Sequence, residues 1–295
     1  MKGTRIVVLL ALVLAASVAG AALAATAAEP DPAKMALRAG DLPNAKAKGK
    51  RLKPDKGYLA AYEREFELSR AYGPSRILYV SSEVDLAADV KTTRADMAGL
   101  ARFLRSKAGR DLLIETTRRE LGSKATRKDV TLGTLRTPKI GDQGLMVPMT
   151  TRSKGLTLHS ALSWFRVDRT LASIVAVGTR PIALGELSKL GAMVVAHVGE
   201  GFTPVATAPP TIAGTAQQGQ TLTAAPAAFT ITTPLTHAWH RCDASGANCV
   251  AIPGATTATY VVVPEDAGAT LRVTVTATNR FGTASSQSPQ TAVVT

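Results

Sequence analysis

Large side chains alternate with glutamates along one segment in the first hundred residues, and an apolar run follows that segment. Residues 62–70 have the period of two that is typical of a half-buried strand, and residues 77–84 form a second strand-like run. Gly73-Pro74 lies between the two segments and favours a turn. The pattern therefore predicts two neighbouring strands.

The period becomes helical in residues 88–107. Met97, Leu100 and Leu104 recur three or four positions apart, which predicts the buried face of a helix. A second, short helix is expected to follow and to stop at Gly122. Two consecutive helices are therefore expected after the two strands.

Strand-like runs return in residues 129–179, where we expect three or four strands and a tight turn at Asp168-Arg169. A closing helix is predicted over residues 183–199, and Asp31-Pro32 predicts a short first helix that runs to Gly40. Sequential strands with short turns favour antiparallel pairing, and helices grouped apart from the strands favour one covered face. We therefore predict an α+β fold in which an antiparallel sheet carries helices on one face.

Charge and composition change near residue 200. The chain has 295 residues and a net charge of +13; residues 29–200 hold 30 basic and 19 acidic side chains, whereas residues 201–295 hold three of each. A segment rich in Pro, Ala and Thr marks the border. We expect an α+β domain, a linker and an all-β domain, at residues 33–200, 201–210 and 211–295 respectively.

The N-terminal residues have the pattern of a secretory signal peptide. Lys2 and Arg5 precede an apolar run, and small residues in A-x-A order follow it, so residues 1–27 are expected to be removed after Ala24 or Ala27. The alternative is an uncleaved anchor helix, although the run is short for a span of about 20 residues. We expect a secreted or cell-envelope protein that folds in an oxidising compartment.

Six basic side chains fall within eleven residues of a segment that Gly49, Pro54 and Gly57 predict to be a loop. They are Lys46, Lys48, Lys50, Arg51, Lys53 and Lys56. Such a run could bind a polyanion, for example an acidic envelope polymer or anionic lipid head groups, or it could be a solvated loop. Specific binding of nucleic acid is not expected, because Tyr58 is the one aromatic residue nearby.

Three segments of the first domain resemble a family of exported bacterial domains. Residues 37–43 read Leu-Arg-Ala-Gly-Asp-Leu-Pro, residues 140–142 read Ile-Gly-Asp, and residues 164–175 form a hairpin-like Trp-Phe-Arg-Val-Asp-Arg-Thr-Leu-Ala-Ser-Ile-Val. The resemblance implies a one-sheet envelope domain of unknown function. The family has no agreed catalytic residues to carry over.

The last ninety residues contain short β-branched or alternating runs separated by Gly, Asn and Asp, which favours a β-sandwich. Trp239 is the expected core aromatic residue, and Tyr260 begins a strand that should pack on it. The segment resembles bacterial immunoglobulin-like (Ig-like) repeats in its Trp-x-x-Cys-Asp motif at residues 239–243 and its Asn-x-x-Gly motif at residues 279–282. Phe229 departs from the Trp that the repeats usually have, which should alter packing rather than fold.

The two cysteines of the chain, Cys242 and Cys249, bracket a short loop within that segment. In an exported domain we expect them to form a structural disulfide, worth about 2–3 kcal/mol in the chain-entropy model. The alternative is a redox or metal-binding pair. Their spacing is not C-x-x-C, and His240 is the one further ligand nearby in the sequence.

No catalytic or cofactor-binding motif is present in the sequence: it lacks H-E-x-x-H, a P-loop, G-x-S-x-G and a dinucleotide G-x-G-x-x-G. The acidic residues Glu63, Glu65 and Glu67 alternate along one strand and are expected to be solvated opposite Arg64 and Arg70. None of the four histidines belongs to one of these motifs; they are His159, His197, His237 and His240. We expect no enzyme, no cofactor and no metal site.

Three hypotheses for function follow. The first is a non-catalytic envelope or extracellular protein that binds a ligand or a surface protein, and the second is a polyanion- or lipid-binding protein that acts through its basic domain. The third is an enzyme with a hidden active site. The lining of a cavity in residues 33–200 would distinguish them.

Overall fold

The computed structural model describes residues 29–231 and 233–295, so the expected signal peptide at residues 1–27 lies outside the described residues. The described chain divides into two units, Asp31–Gly201 and Phe202–Thr295. Across these described ranges, no helix is long and apolar enough to cross a membrane.

The first unit is built on a seven-stranded antiparallel sheet. Its strands are β1 (Ala45–Leu52), β2 (Tyr58–Tyr72), β3 (Ile77–Ala87), β4 (Val130–Leu132), β5 (Gln143–Ser153), β6 (Leu156–Val167) and β7 (Thr170–Gly178). Their order in the sheet is β1-β2-β3-β7-β6-β5-β4. Its helices are α1 (Pro32–Met35), α2 (Val90–Arg105), α3 (Lys107–Leu121) and α4 (Leu184–Phe202).

Local capping fixes the two helices that follow β3. The Asp89 side chain accepts a hydrogen bond from the Thr92 backbone N–H at 2.7 Å and begins α2. Ser106 Oγ accepts one from the Gly109 N–H at 2.9 Å and begins α3. Gly122 ends α3 with a φ of +101°, which a glycine adopts without strain.

These two helices cover one face of the sheet. Met97 and Leu104 of α2 and Leu113 of α3 pack with Leu145 and Trp164 of the strands in one buried cluster. The helical period of α2 directs its apolar side chains into this core and leaves its basic side chains outside.

The opposite face of the sheet is covered as well. The Leu37 backbone N–H, just after α1, donates to Ser82 Oγ at 3.2 Å. Ser82 pairs with Ile174 of β7, so the two side chains share one face of the sheet. This face is opposite α2, because the next residue, Val175, pairs with Leu162 of the α2 cluster. His197 of α4 lies 3.2 Å from the Ala36 carbonyl oxygen, so α4 packs on the same side as α1. Helices on a single face were therefore a wrong prediction. The run from Ser160 to Val167 is buried without alternation, as in a central strand that is covered on both faces.

The segment predicted to be a basic loop forms the edge strand β1. Lysines occupy every second position of β1, with Ala or Gly between them, and each lysine lies opposite a glutamate of β2. The cross-strand pairs are Lys46–Glu67, Lys48–Glu65 and Lys50–Glu63. Opposite charges on facing positions stabilise this pairing. The short first helix is also shorter than predicted, because Ala36 is extended and α1 ends at Met35.

The second unit consists of short antiparallel strands. They are β8 (Ala206–Ala208), β9 (Thr211–Ala213), β10 (Thr221–Ala225), β11 (Ala228–Phe229), β12 (Leu235–Cys242), β13 (Val250–Ala251), β14 (Thr259–Val261), β15 (Thr270–Asn279) and β16 (Gly282–Gln287). They pair as sheets of order β14-β10-β9, β11-β8 and β13-β12-β15-β16.

One buried cluster joins the three-stranded and four-stranded sheets. Trp239 is fully buried, and its ring stacks on Tyr260 with a centroid separation of 5.5 Å. Leu222 of β10 and Val273 of β15 belong to the same cluster. The Trp239 Nε1–H donates to the Thr257 carbonyl oxygen at 3.0 Å, so the indole is buried without an unpaired donor.

Candidate ligand-binding cavity

A cavity of about 670 Å³ lies in the first unit between α2 and the segment at residues 137–145. Its volume falls within the range of about 300–1,000 Å³ that is usual for small-molecule sites. One wall is the outer side of α2, with Ala98, Ala101, Arg102 and Arg105, and the other is the chain that leads into β5. The cavity is therefore large enough for an organic ligand.

The two arginines of the helix wall lie three residues apart, so they are neighbours on the helix surface. Arg102 and Arg105 are exposed, whereas Ala101, the residue before Arg102, is buried. Their position in the last turn of α2 also complements the negative end of the helix dipole. The second wall adds Lys139, which is exposed between the buried Pro138 and Ile140.

The second wall is fixed by the Ile-Gly-Asp motif at residues 140–142. Gly141 has a φ of +61°, and a Cβ at this position would overlap the Arg166 carbonyl oxygen. The Asp142 carboxylate forms an ion pair with Arg166 at 3.0 Å and accepts a hydrogen bond from the Asp168 N–H at 2.8 Å. The motif therefore has a structural role here: it anchors the cavity wall to the β6–β7 turn.

The cavity is positively charged. Arg102, Arg105 and Lys139 form neither an ion pair nor a side-chain hydrogen bond with any residue in the described part of the chain. The one carboxylate of the lining, Asp142, is bound by Arg166. Three cations therefore face the cavity without a counter-charge among the described residues, which is an arrangement suited to an anion.

The cations that the sequence singled out lie elsewhere. Lys50 Nζ is 2.8 Å from Glu63 Oε2, and this bond raises the pKa of the lysine above its ordinary value. Arg51 points to the other face and pairs with Asp31 at 3.1 Å. The six predicted residues are thus divided between two sheet faces and the chain after β1; they are Lys46, Lys48, Lys50, Arg51, Lys53 and Lys56. None of them lines the cavity.

The acidic row on β2 was also predicted with the wrong partners. Glu63 lies opposite Lys50 on one side and Glu83 of β3 on the other, and it is buried rather than solvated. Arg64 points to the opposite face, where it donates to the Leu37 carbonyl oxygen at 2.7 Å.

Burial raises the pKa of Glu83 to about 7, and the nearby charge of Glu63 adds to the shift. Burial also raises the pKa of the neighbouring Asp85. Among the described residues, no group of three His, Cys, Asp or Glu side chains is arranged to hold a metal ion.

The four histidines and the two cysteines of the sequence lie outside the cavity lining. The lining, drawn from the described residues, contains no His, Cys or Ser side chain. His159 lies 3.2 Å from Thr150 Oγ1 in the sheet, and His197 contacts Ala36 on the other face. In the second unit, Cys242 and Cys249 are bonded to each other.

Comparison with known proteins gives little further information. No family model matches the chain. No curated protein matches it either. Among solved structures, it is similar to the extracellular domain of PknH from Mycobacterium tuberculosis, with a TM-score of 0.37 and 10% identity, over 57% of this chain and 94% of that one. At this degree of similarity, no property of that protein is carried over to this chain.

The cavity was not predicted from the sequence, although two signals for it were visible. Arg102 and Arg105 lie off the apolar stripe of the helix predicted over residues 88–107, and the Ile-Gly-Asp segment is one of the motifs that carry the resemblance to exported domains. Nothing in the sequence connects the two, because Arg105 and Lys139 are separated by thirty-three residues that include α3 and β4.

Proposed function

We propose that this protein is a non-catalytic exported binding protein that holds an anionic ligand in the cavity between α2 and residues 137–145. The observation that carries the proposal is the set of three cations, Arg102, Arg105 and Lys139, around a cavity of organic-ligand size without a counter-charge among the described residues. Export is supported by the signal-peptide pattern of residues 1–27 and by the disulfide of the second unit.

The second unit is proposed to be an Ig-like module. This is supported by the Trp-x-x-Cys-Asp and Asn-x-x-Gly motifs, and by a two-sheet core around Trp239 and Tyr260. Such a module would present the binding unit at the cell envelope or attach it to a surface partner. Polyanion binding along β1 is less well supported, since its lysines face glutamates.

Titration of the purified protein with 1-anilinonaphthalene-8-sulfonate, a small anionic fluorescent probe, tests the proposal. Saturable binding that weakens with added salt is expected, because the charges are exposed and therefore screened. Arg102→Ala/Arg105→Ala should weaken binding at least tenfold. Arg94→Ala, an exposed arginine of the same helix outside the cavity lining, should leave it unchanged. Equal binding by all three proteins would contradict the proposal.

A further inference from the structure

The seven-stranded sheet of the first unit ends at β1, and no described strand pairs with the outer side of β1. This strand pairs with β2 at eight consecutive positions without a bulge, and its six inner residues are exposed. Edge strands of natural sheets are usually short, bulged, covered or charged, because a free row of backbone groups can pair with another chain. Of these protections β1 has only its charges, so its outer backbone is open to a strand whose own charges fit.

The hydrogen-bond pattern between β1 and β2 determines which backbone groups face outward. The Ser69 N–H donates to the Asn44 carbonyl oxygen at 3.1 Å, just before the first pair of the ladder. In an antiparallel ladder, such hydrogen-bonded pairs alternate with non-hydrogen-bonded ones. The lysines of β1 lie two, four and six residues after Asn44, so their backbone groups bond to β2. The backbone groups that point to the free edge belong to Ala45, Ala47, Gly49 and Arg51.

These outward-facing groups are unoccupied in the described chain. None of the four residues forms a backbone hydrogen bond to a described loop, turn or helix. Three of the four are alanine or glycine, so bulky side chains do not crowd the outward-facing amides. A further strand could therefore bond to this row without displacing any part of the described chain.

The lysines set the charge that a further strand would meet. Lys50 is paired with Glu63 at 2.8 Å, whereas Lys46 and Lys48 form no ion pair with any described residue, although each lies opposite a glutamate. Beside a further antiparallel strand, the lysines would occupy non-hydrogen-bonded pairs, in which the facing Cα atoms are only about 4.5 Å apart. The side chains that face the lysines therefore decide whether pairing is favourable.

The charge pattern of this edge selects its partner. A second copy of β1 would pair through the same outward-facing groups and would place lysine opposite lysine. A strand with acidic side chains at every second position would instead give each lysine an opposite charge. The glutamates of β2 lie two strand spacings from such a partner, about 10 Å, whereas the Debye length at physiological ionic strength is about 8 Å. The nearer lysines therefore determine the interaction.

We infer that β1 is the docking edge for an extended acidic segment of a partner polypeptide, which adds an antiparallel strand to the first sheet. Backbone hydrogen bonds along residues 45–51 provide affinity, and carboxylates that face Lys46, Lys48 and Lys50 provide the selection. The inference goes beyond the proposed function and does not depend on it, because none of these residues lines the cavity.

Fluorescence anisotropy of a labelled peptide, titrated with the full protein, tests the inference. In this peptide glutamate alternates with threonine over the length of β1. A peptide of the same composition with its glutamates in one block should bind at least tenfold more weakly, and a peptide that alternates lysine with threonine should not bind. Added salt should weaken the binding of the first peptide, since Lys46 and Lys48 are exposed.

Substitutions at position 47 test the backbone contact. Ala47→Pro removes an outward-facing N–H and leaves the hydrogen bonds to β2 in place, a change that edge strands tolerate. It should lower the affinity for the alternating peptide at least tenfold. Ala47→Thr keeps the N–H at the same exposed position and should change the affinity less than twofold. Circular dichroism verifies that both variants are folded.

Substitutions of lysine test the charge contact. Lys46→Gln/Lys48→Gln should lower the affinity for the alternating peptide at least tenfold. Lys53→Gln/Lys56→Gln removes the same charge from exposed positions after β1 and should change the affinity less than twofold. The comparison separates charges that face the partner strand from the general positive charge of the unit.

Amide hydrogen exchange, followed by NMR, tests the direction of the backbone groups. In the free protein the amides of Lys46 and Lys48 should exchange slowly and those of Ala47 and Gly49 rapidly, because only the lysine amides are bonded to β2. The alternating peptide should slow the exchange of Ala47 and Gly49 at least tenfold.

Three results would overturn the inference. The first is equal binding of the alternating and block peptides with full affinity in Ala47→Pro, which would make β1 a charged patch without strand pairing. The second is competition by inorganic polyphosphate as strong as that of unlabelled peptide at equal negative charge, which would favour a linear polyanion. The third is exchange of the Ala47 and Gly49 amides that the bound peptide leaves unchanged.

Discussion

At the scale of single residues, the buried Asp266 and the half-buried Glu83 have opposite electrostatic surroundings. Asp266 is fully buried, and its oxygens accept hydrogen bonds from Arg241 Nε at 2.7 Å, Tyr260 Oη at 2.8 Å and the Val263 N–H at 2.9 Å. Glu83 instead faces another carboxylate, that of Glu63. Three hydrogen-bond donors surround the Asp266 carboxylate, whereas burial and the like charge of Glu63 favour the protonated form of Glu83.

Replacing Asp266 by Asn should destabilise the second unit strongly. The substitution keeps the size of the side chain but leaves Arg241 without its counter-charge and Tyr260 without a charged acceptor. We expect the free energy of unfolding of this unit to fall by about 2–4 kcal/mol, measured by urea denaturation. Glu265→Gln, at the exposed neighbouring position, is the matched control and should be nearly neutral. Equal stability of the two variants would show that the buried network contributes little.

Replacing Glu83 by Gln should change how the stability of the first unit depends on pH. The folded pKa of about 7 lies above the ordinary value of 4.5, so the folded state binds more protons than the unfolded state between these values. Stability is therefore lost as the pH rises from about 4.5 to 7, by at most about 3 kcal/mol. In Glu83→Gln this loss should be reduced, as measured by urea denaturation at pH 5 and pH 8. The same loss in both proteins would rule out Glu83 as its source.

At the scale of elements, the corner between α2 and α3 depends on one glycine. Gly109 is buried in the first turn of α3, and a Cβ at this position would overlap the Phe103 carbonyl oxygen. A side chain here would force the two helices apart, and α2 forms one wall of the cavity. The corner therefore contributes to the geometry of the proposed site.

Gly109→Ala should lower the free energy of unfolding of the first unit by about 1–3 kcal/mol, because the added methyl has no space. Gly185→Ala, in the first turn of α4 with open space around it, should instead be neutral or raise stability by up to about 1 kcal/mol through helix propensity. Thermal or urea denaturation of both variants measures the difference. If the two substitutions had the same effect, steric overlap at the corner would not be its cause.

Elements with a local pattern could be predicted from the sequence, whereas elements defined by distant partners could not. β2 and α2 have a period of their own, so both were recognised. β1 has lysines and a glycine where a strand usually has apolar residues, and it is stabilised by glutamates more than ten residues further on. An edge strand of this kind has no hydrophobic period to detect.

The coverage of the sheet and the cavity required the tertiary structure. In the structure, β6 is buried along its length because both faces of the sheet are covered. In the sequence, its short apolar run is equally compatible with a segment of a buried helix. The cavity cations come from a helix and from a loop that meet only after folding, and each is unremarkable within its own segment. Sequence spacing therefore contained no signal for their convergence.

At the scale of the whole molecule, the chain has a strongly basic first unit and a second unit without net charge. The second unit contains both cysteines, which are joined to each other. Conditions that alter this bond therefore act directly on the second unit.

Cys242→Ser/Cys249→Ser should lower the free energy of unfolding of the second unit by about 2–3 kcal/mol, the loop-closure contribution of a short bridge. The urea transition of the first unit and the affinity for the sulfonate probe should be unchanged. Wild-type protein with a reducing agent is the matched control and should behave like the variant. A coincident shift of both transitions would show that the units unfold together.

The alternating lysines of the edge strand β1 affect how two copies of the protein could associate at high concentration. The sheet ends at this strand, and its outer backbone groups are available for pairing with another extended chain. If the β1 strands of two molecules paired antiparallel in a register that aligned their lysines, ammonium groups would face each other. Their repulsion would oppose the stacking of sheets into fibres. We therefore expect the three lysines of β1 to oppose self-association through this edge of the sheet.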